Sequence, residues 1–229
     1  YERSIGYPYG HRNILHIKRG NPTVKHFSQI TDAENDTEKL YESLKKTGGI
    51  CIPHTTGLQN CPNTWETSFD SSLEPVVEIY QGTRLSSEHT GAPLSGYYTD
   101  RLKDSTSQEN SGTAWDAWKK GRKIGVISSS DHQSTHCSYA NVYAGEATRE
   151  TLIKAIKQRH TFGSTDNIVV DFQGKELIQG DEAETNKAPE FTINIIGTDK
   201  IKEVTVIKNF KLYNIPVKSS NHLYIQWKD

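Results

Sequence analysis

The chain has no methionine, three cysteines in 229 residues and almost no charge imbalance. No stretch approaches the ~18 apolar residues that a membrane-spanning helix needs, so no membrane partner is expected. Cys51, Cys61 and Cys137 leave at least one thiol unpaired, which excludes a disulfide-stapled scaffold. They do not fix the compartment, and a periplasmic or secreted one is compatible with them. Lys and Arg number 27 against 28 Asp and Glu, a net charge of -1, which argues against a nucleic-acid partner. A Gly-rich phosphate loop, a G-x-S-x-G elbow, a dinucleotide fingerprint, Cys-x-x-Cys and His-Glu-x-x-His are all missing. The lack of methionine, with an opening YERSIGYP that reads as the middle of a structured element, predicts a piece of a longer protein. What is present is aromatic: 4 Trp and 11 Tyr supply large buried areas to an otherwise polar chain.

Local patterns divide the chain. A loop rich in Gly and Pro, SIGYPYGHRN, precedes a strand expected over 13–18, with His11 at its entrance and His16, read as structural, inside it. Residues 36–46 predict a helix: Leu40, Tyr41 and Leu44 share a face, Asp36 or Thr37 can cap it, and Gly48 stops it. Residues 49–53 and 75–80 read as buried strands. The first ends at His54. The second embeds Glu78, and an acid in an apolar strand must be paired, hydrogen-bonded or metal-bound unless it faces an exposed edge.

Residues 81–112 form a long polar connection, expected as a lid or flap. Thr113 with Asp116 resembles a capping box for a short helix ending at Lys120. The apolar run Ile124, Val126, Ile127 then stops at three serines, followed at once by Asp131, His132 and His136. A short strand over 139–144 and a helix over 148–160 come next, the helix with Leu152, Ile153 and Ile156 inward. Beyond about residue 167 the apolar period changes from 3.6 to 2, in IVVDF, FTINIIG, EVTVIKN and HLYIQW. The expected organisation is α/β: a parallel layer over 1–166, open or closed into a barrel, then a β-sandwich-like domain over 167–229.

His54, Glu78 and Asp131 fall at or near the carboxyl ends of three strands, which in a parallel barrel converge on one face. Imidazole with carboxylate and no thiolate suits Zn, Mn or Fe in a hydrolytic site. The bland alternative for SSSDHQSTH is a polar turn with two solvated histidines.

Four segments carry a resemblance: YERSIGYPYGHRN, GGICIPHTTG, EPVVEIYQG with SSEHTGAP, and GVISSSDHQSTHCSYANVYAGEATRETLIKAIKQRHTFGSTDNIVVDF. Together they resemble an uncharacterised bacterial family, domain of unknown function 3604. That family is similar to the PHP (polymerase and histidinol phosphatase) superfamily of metal-dependent phosphoesterases. The likeness covers most of residues 1–172. It implies a distorted (βα)7 TIM-like barrel, N-terminally incomplete in this chain, with a two- or three-metal site.

By resemblance, Glu2 bridges the metals and His11, His54 and Asp131 bind them, with His132 or His136 as the imidazole that follows. Asp131 and His132 are the implied catalytic pair. The superfamily usually spaces that acid and histidine by one residue, whereas His132 is adjacent and His136 five residues on, so both stay open. Glu78 and His89 match family segments and are assigned to the substrate side. Arg12 and Arg84 join them as cations for a phosphate. The family's opening H-x-H has no counterpart here and is expected upstream of Tyr1.

Three functions follow as expectations. One is a phosphoesterase that uses divalent Zn, Mn or Fe on a phosphorylated small molecule. The second is an amidohydrolase-like enzyme that cleaves a C–N or ester bond at the same site. The third is a non-catalytic binding module with a degenerate metal site, in which Trp65, Tyr97 and Tyr98 stack on a carbohydrate or partner. Oligomeric state is left open.

Overall fold

A computed structural model describes residues 10–20, 36–54, 56–57, 65, 69–82, 85–95, 112–131 and 134–229. The first half holds β1 (Arg12–Leu15), α1 (Asp36–Thr47), β2 (Ile50–Pro53), β3 (Val76–Gln81), β4 (Leu85–Ser86), α2 (Ala114–Lys119) and β5 (Gly125–Ser129). There follow β6 (Tyr139–Val142), α3 (Arg149–Lys157), β7 (Thr161–Ser164), β8 (Val169–Gly174) and β9 (Leu177–Ile178). The chain closes with β10 (Glu190–Ile201), β11 (Val204–Lys208), β12 (Lys211–Ile215) and β13 (Ser220–Lys228).

The helices form where their caps place them. Thr113 accepts from the Asp116 N–H while Asp116 accepts from the Thr113 N–H, a reciprocal box at the start of α2. Thr148 accepts from the Thr151 N–H to open α3. Gly48 and Gly121, at φ +71° and +74°, turn the chain out of α1 and α2 in the left-handed region that glycine adopts freely.

The expected (βα)7 TIM-like barrel does not form. Among the described residues three helices accompany thirteen strands, divided among five small sheets. β3 and β5 do run parallel. β1 and β2, however, pair antiparallel, with Arg12 opposite Pro53 and Leu15 opposite Ile50. β6 and β7 are likewise antiparallel, although α3 lies between them in sequence. A strand–helix–strand order predicts a parallel crossover, but a helix between two strands does not set their direction. Here α1 and α3 are excursions that bring the chain back against itself.

Three modest clusters replace a barrel interior. Leu40, Tyr41 and Leu44 of α1 pack on Cys51 and Leu73. Trp65, Val77, Ala114, Ala117 and Ile124 form the second. Ile52, Val76 and Ile127 form the third, with Ile156 of α3 against it. β7 packs on β5 so tightly that a Cβ at Gly163 would lie 2.8 Å from the Ser128 backbone nitrogen. Gly163→Ala is therefore expected to destabilise the protein by about 1–3 kcal/mol, read as a lower urea midpoint. An unchanged midpoint would mean that the two strands separate at no cost.

From β8 onward no helix occurs, in line with the period-2 pattern. β13, β10, β8 and β9 form one sheet in that order, and β11 with β12 makes a separate hairpin. Phe172, Phe191 and Trp227 stack across the sheet at 4.9 and 5.7 Å, and Tyr213 of the hairpin reaches Trp227 at 6.4 Å. The hairpin turns on Asn209 and Phe210, both at positive φ, as a two-residue turn between twisted strands requires. Phe210 then docks on Trp115 of α2 at 5.2 Å, which ties the hairpin tip to the first half of the chain.

Candidate functional site

The carboxyl ends of the parallel strands β3 and β5 lie side by side, and the residue after β2 joins them. His54 follows Pro53, and its backbone N–H donates to the His11 carbonyl at 2.9 Å. Its ring is clamped: Nδ1 lies 2.7 Å from Glu78 Oε2 and Nε2 lies 3.8 Å from Asp131 Oδ1. The Glu78 side chain is 1 % exposed, that of Asp131 5 % and that of His54 11 %, so the imidazole is the part nearest solvent.

Glu78 answers the question its sequence position raised. Its Oε2 also accepts from Gln81 Nε2 at 3.3 Å, and its Oε1 accepts from the Ser129 hydroxyl. Both carboxylate oxygens are thus held by donors, which offsets the burial of an acid inside an apolar strand. When His54 Nδ1 carries the proton that Glu78 accepts, the ring's lone pair sits on Nε2, on the Asp131 side.

Gln81 and Ser129 were not among the expected site residues. Three positions along a regular strand Gln81 should point away from Glu78. The register with β5 slips by one residue between Glu78 and Tyr80, so Ile79 is an extra residue on β3, and Gln81 arrives on the face of Glu78. Only the neighbouring serines hinted at Ser129. Gln81 Oε1 is buried with no hydrogen-bond partner among the described residues.

Asp131 sits at φ +64°, a left-handed conformation that Asp tolerates better than most residues. Two hydroxyls close the loop it opens: Ser130 Oγ accepts from the N–H groups of Cys137 and Ser138 at 3.0 and 3.1 Å and donates to the Ser138 carbonyl at 3.0 Å, and the Ser138 hydroxyl donates to the Ser129 carbonyl. Cys137 also packs against Gly82, where an added Cβ would lie 2.4 Å from the Cys137 Cβ.

The other expected site residues fall elsewhere. Glu2, Arg84 and His132 lie outside the described residues, as do Tyr97 and Tyr98. His11 is half-buried beside His54 through the backbone contact already given. His136, expected as a ligand, is exposed, and its Nδ1 contacts Thr135 Oγ1 at 2.9 Å within its own turn. His89, expected at the substrate, packs on Trp115 at 4.1 Å, in line with Phe210. Trp65 is 2 % exposed and its indole donates to the Thr113 carbonyl, so it is a core residue and no stacking platform. Part of the expected lid, residues 85–95, is packed: Ser87 is buried and its hydroxyl bonds the Glu78 and Ile79 carbonyls.

Arg12, expected to bind phosphate, is instead in the core. Its Nε donates to Glu74 Oε2 at 2.8 Å, and the two side chains are 2 % and 1 % exposed. Tyr41 and Cys51 converge on the same oxygen. Burial and the Glu74 carboxylate both push the Cys51 thiol and the Tyr41 phenol well above their ordinary pKa values. Burial pulls the Arg12 pKa down, but Glu74, Cys51 and Tyr41 together more than offset this and the net shift is upward.

Among the described residues no group of three or more His, Cys, Asp or Glu side chains is arranged to hold a metal ion. A cleft of about 970 Å³ lies away from His54, between the β3–β5 face and residues 179–184, and none of His54, Glu78 or Asp131 lines it. Lys123 and Arg159 both pair with Glu182 on its wall.

No protein-family profile matches the chain. It is similar to an uncharacterized protein of Chlamydia pneumoniae, 27% identical over 242 residues, a match that covers 96% of this chain and 37% of that protein. The chain thus spans little more than a third of the curated relative's length. No solved structure matches.

Proposed function

We propose that the rim at His54 is a hydrolytic centre that cleaves a phosphoester in a small molecule with the help of divalent Zn, Mn or Fe. The observation that carries this is the clamped ring: Nδ1 on buried Glu78 and Nε2 facing Asp131 across 3.8 Å. Metal-binding histidines commonly donate their other ring N–H to a carboxylate. Two donors at ~2.0–2.2 Å from one cation lie up to ~4 Å apart, so the Nε2–Oδ1 spacing suits a shared ion.

The donors fit such an ion in kind, and the spacing of His54 Nε2 and Asp131 Oδ1 supports this reading. The resemblance to PHP-like phosphoesterases supplies Glu2, His11 and either His132 or His136 as the others, and it favours a phosphoester over an amide. A bound divalent cation would supply water of lowered pKa and positive charge toward phosphoryl oxygens. The protein's own part is positional. Glu78 orients His54, Ser129 and Gln81 hold Glu78, and the Ser130 knot fixes the loop that presents Asp131.

The test is a purified protein loaded in turn with each ion and offered a phosphomonoester, a phosphodiester and an anilide of nitrophenyl type. Metal-dependent phosphoester cleavage, lost to a chelator and restored by one ion, is the expected result. Anilide cleavage alone would replace this reading, and failure to retain any metal in elemental analysis would end it.

A further inference from the structure

We infer that the cleft between β1 and α3 binds a small amphipathic anion, an acidic head group on an aliphatic body. This site does not depend on the hydrolytic reading. Arg12 faces Pro53 at the His54 end of the β1–β2 ribbon, and Leu15 faces Ile50 at the other. The cleft opens at that far end, with a volume of about 530 Å³, room for a chain of several methylenes.

Its floor is aliphatic. Leu15 comes from β1, and Leu152 and Ile156 come from α3, where a spacing of four puts both on one face. Ile14 and the buried Ile153 border the cleft, Ile14 with its side chain turned to the α1 cluster and Ile156 partly against the Ile52, Val76 and Ile127 cluster. Leu152 and Ile156 are half-buried, and Leu15 is 37 % exposed. The rim is cationic: Lys18, Arg19 and Arg149, all exposed, and among the described residues no acid lines the cleft.

Among the described residues none of these three cations pairs with a carboxylate. Arg149 donates only to the His16 carbonyl, at 3.3 Å. Elsewhere on the surface Lys45 is matched by Asp70, Lys123 and Arg159 by Glu182, and Lys228 by Glu190. In a chain of net charge -1, this is a local positive excess among the described residues, set around partly exposed hydrocarbon. Inorganic phosphate would leave the floor wet, and a neutral hydrocarbon would leave the rim uncompensated. An amphipathic anion satisfies both.

The probe is sodium decanoate, used below its micelle concentration on the 229-residue protein, with decanol and inorganic phosphate as comparisons. One decanoate should bind per chain, at least about tenfold tighter than either comparison, and added salt should weaken it. The double variant Lys18→Glu, Arg149→Glu should weaken it at least about tenfold. Both positions are exposed, so the fold should be kept, checked by circular dichroism. Leu152→Asn should also weaken binding, through the floor. No decanoate binding, equal binding of phosphate or decanol, indifference to these variants, or binding to anionic phospholipid vesicles alone would each overturn the proposal.

Discussion

Glu74→Ala is expected to cost the fold about 3–5 kcal/mol, a large share of the 5–15 kcal/mol that holds a typical domain together. Glu74 is 1 % exposed and Arg12 3 %, and they meet at 2.8 Å. Alanine would leave the buried guanidinium without the carboxylate it faces. It would also remove the acceptor that Tyr41 and Cys51 share. Those two groups sit in the first core cluster, so the loss would spread into the packing of α1 on β2. Replacing both partners, Arg12→Leu with Glu74→Leu, should restore part of the stability, because a buried pair costs much of its own attraction in desolvation, while Tyr41 and Cys51 would still lack the acceptor they share. Equilibrium urea unfolding of the single and double variants gives the answer. A single variant within 1 kcal/mol of the parent would show that the pair is far better solvated than its burial implies.

On the proposed hydrolytic reading, Glu78→Gln is expected to weaken metal binding, and metal-dependent hydrolysis with it, by about 10–100-fold. The change is nearly isosteric, so packing around β3 is kept. What changes is the chemistry at His54 Nδ1 and at the Ser129 hydroxyl. A neutral amide accepts less strongly than a carboxylate, and it can present its own N–H to the ring and reverse the tautomer. Competition of a chromophoric chelator for the bound ion measures affinity without any substrate. Undiminished affinity in a folded variant would remove Glu78 from the site, whatever the activity did.

Much of the local structure was legible, because it depends on neighbours in sequence. The 3.6 spacing of Leu40, Tyr41 and Leu44 marks α1, and Thr113 with Asp116 marks the start of α2. The run PVVEIY announces β3, and the alternation in the last sixty residues announces strands. Pairing was not legible, because it is set by contacts between distant segments. Nothing in ICIP says that it will run antiparallel to RNIL, and that single orientation removes the expected barrel. The meeting of His54, Glu78 and Asp131 was inferred from strand ends. It survives the loss of the barrel because β3 and β5 are parallel neighbours. Arg12 misled because a cation near a candidate site reads the same whether it faces solvent or an internal acid. His89 misled in the same way, with Trp115 as its partner.

The extra residue at Ile79 has a bearing on how any relative should be compared with this chain. A strand normally keeps two ledgers, odd positions on one side and even on the other, and one insertion exchanges them for everything downstream. Gln81 stands next to Glu78 only because that exchange has occurred. A homologue with an uninterrupted strand would carry the equivalent amide at an adjacent position, and a column-by-column alignment would report it as lost.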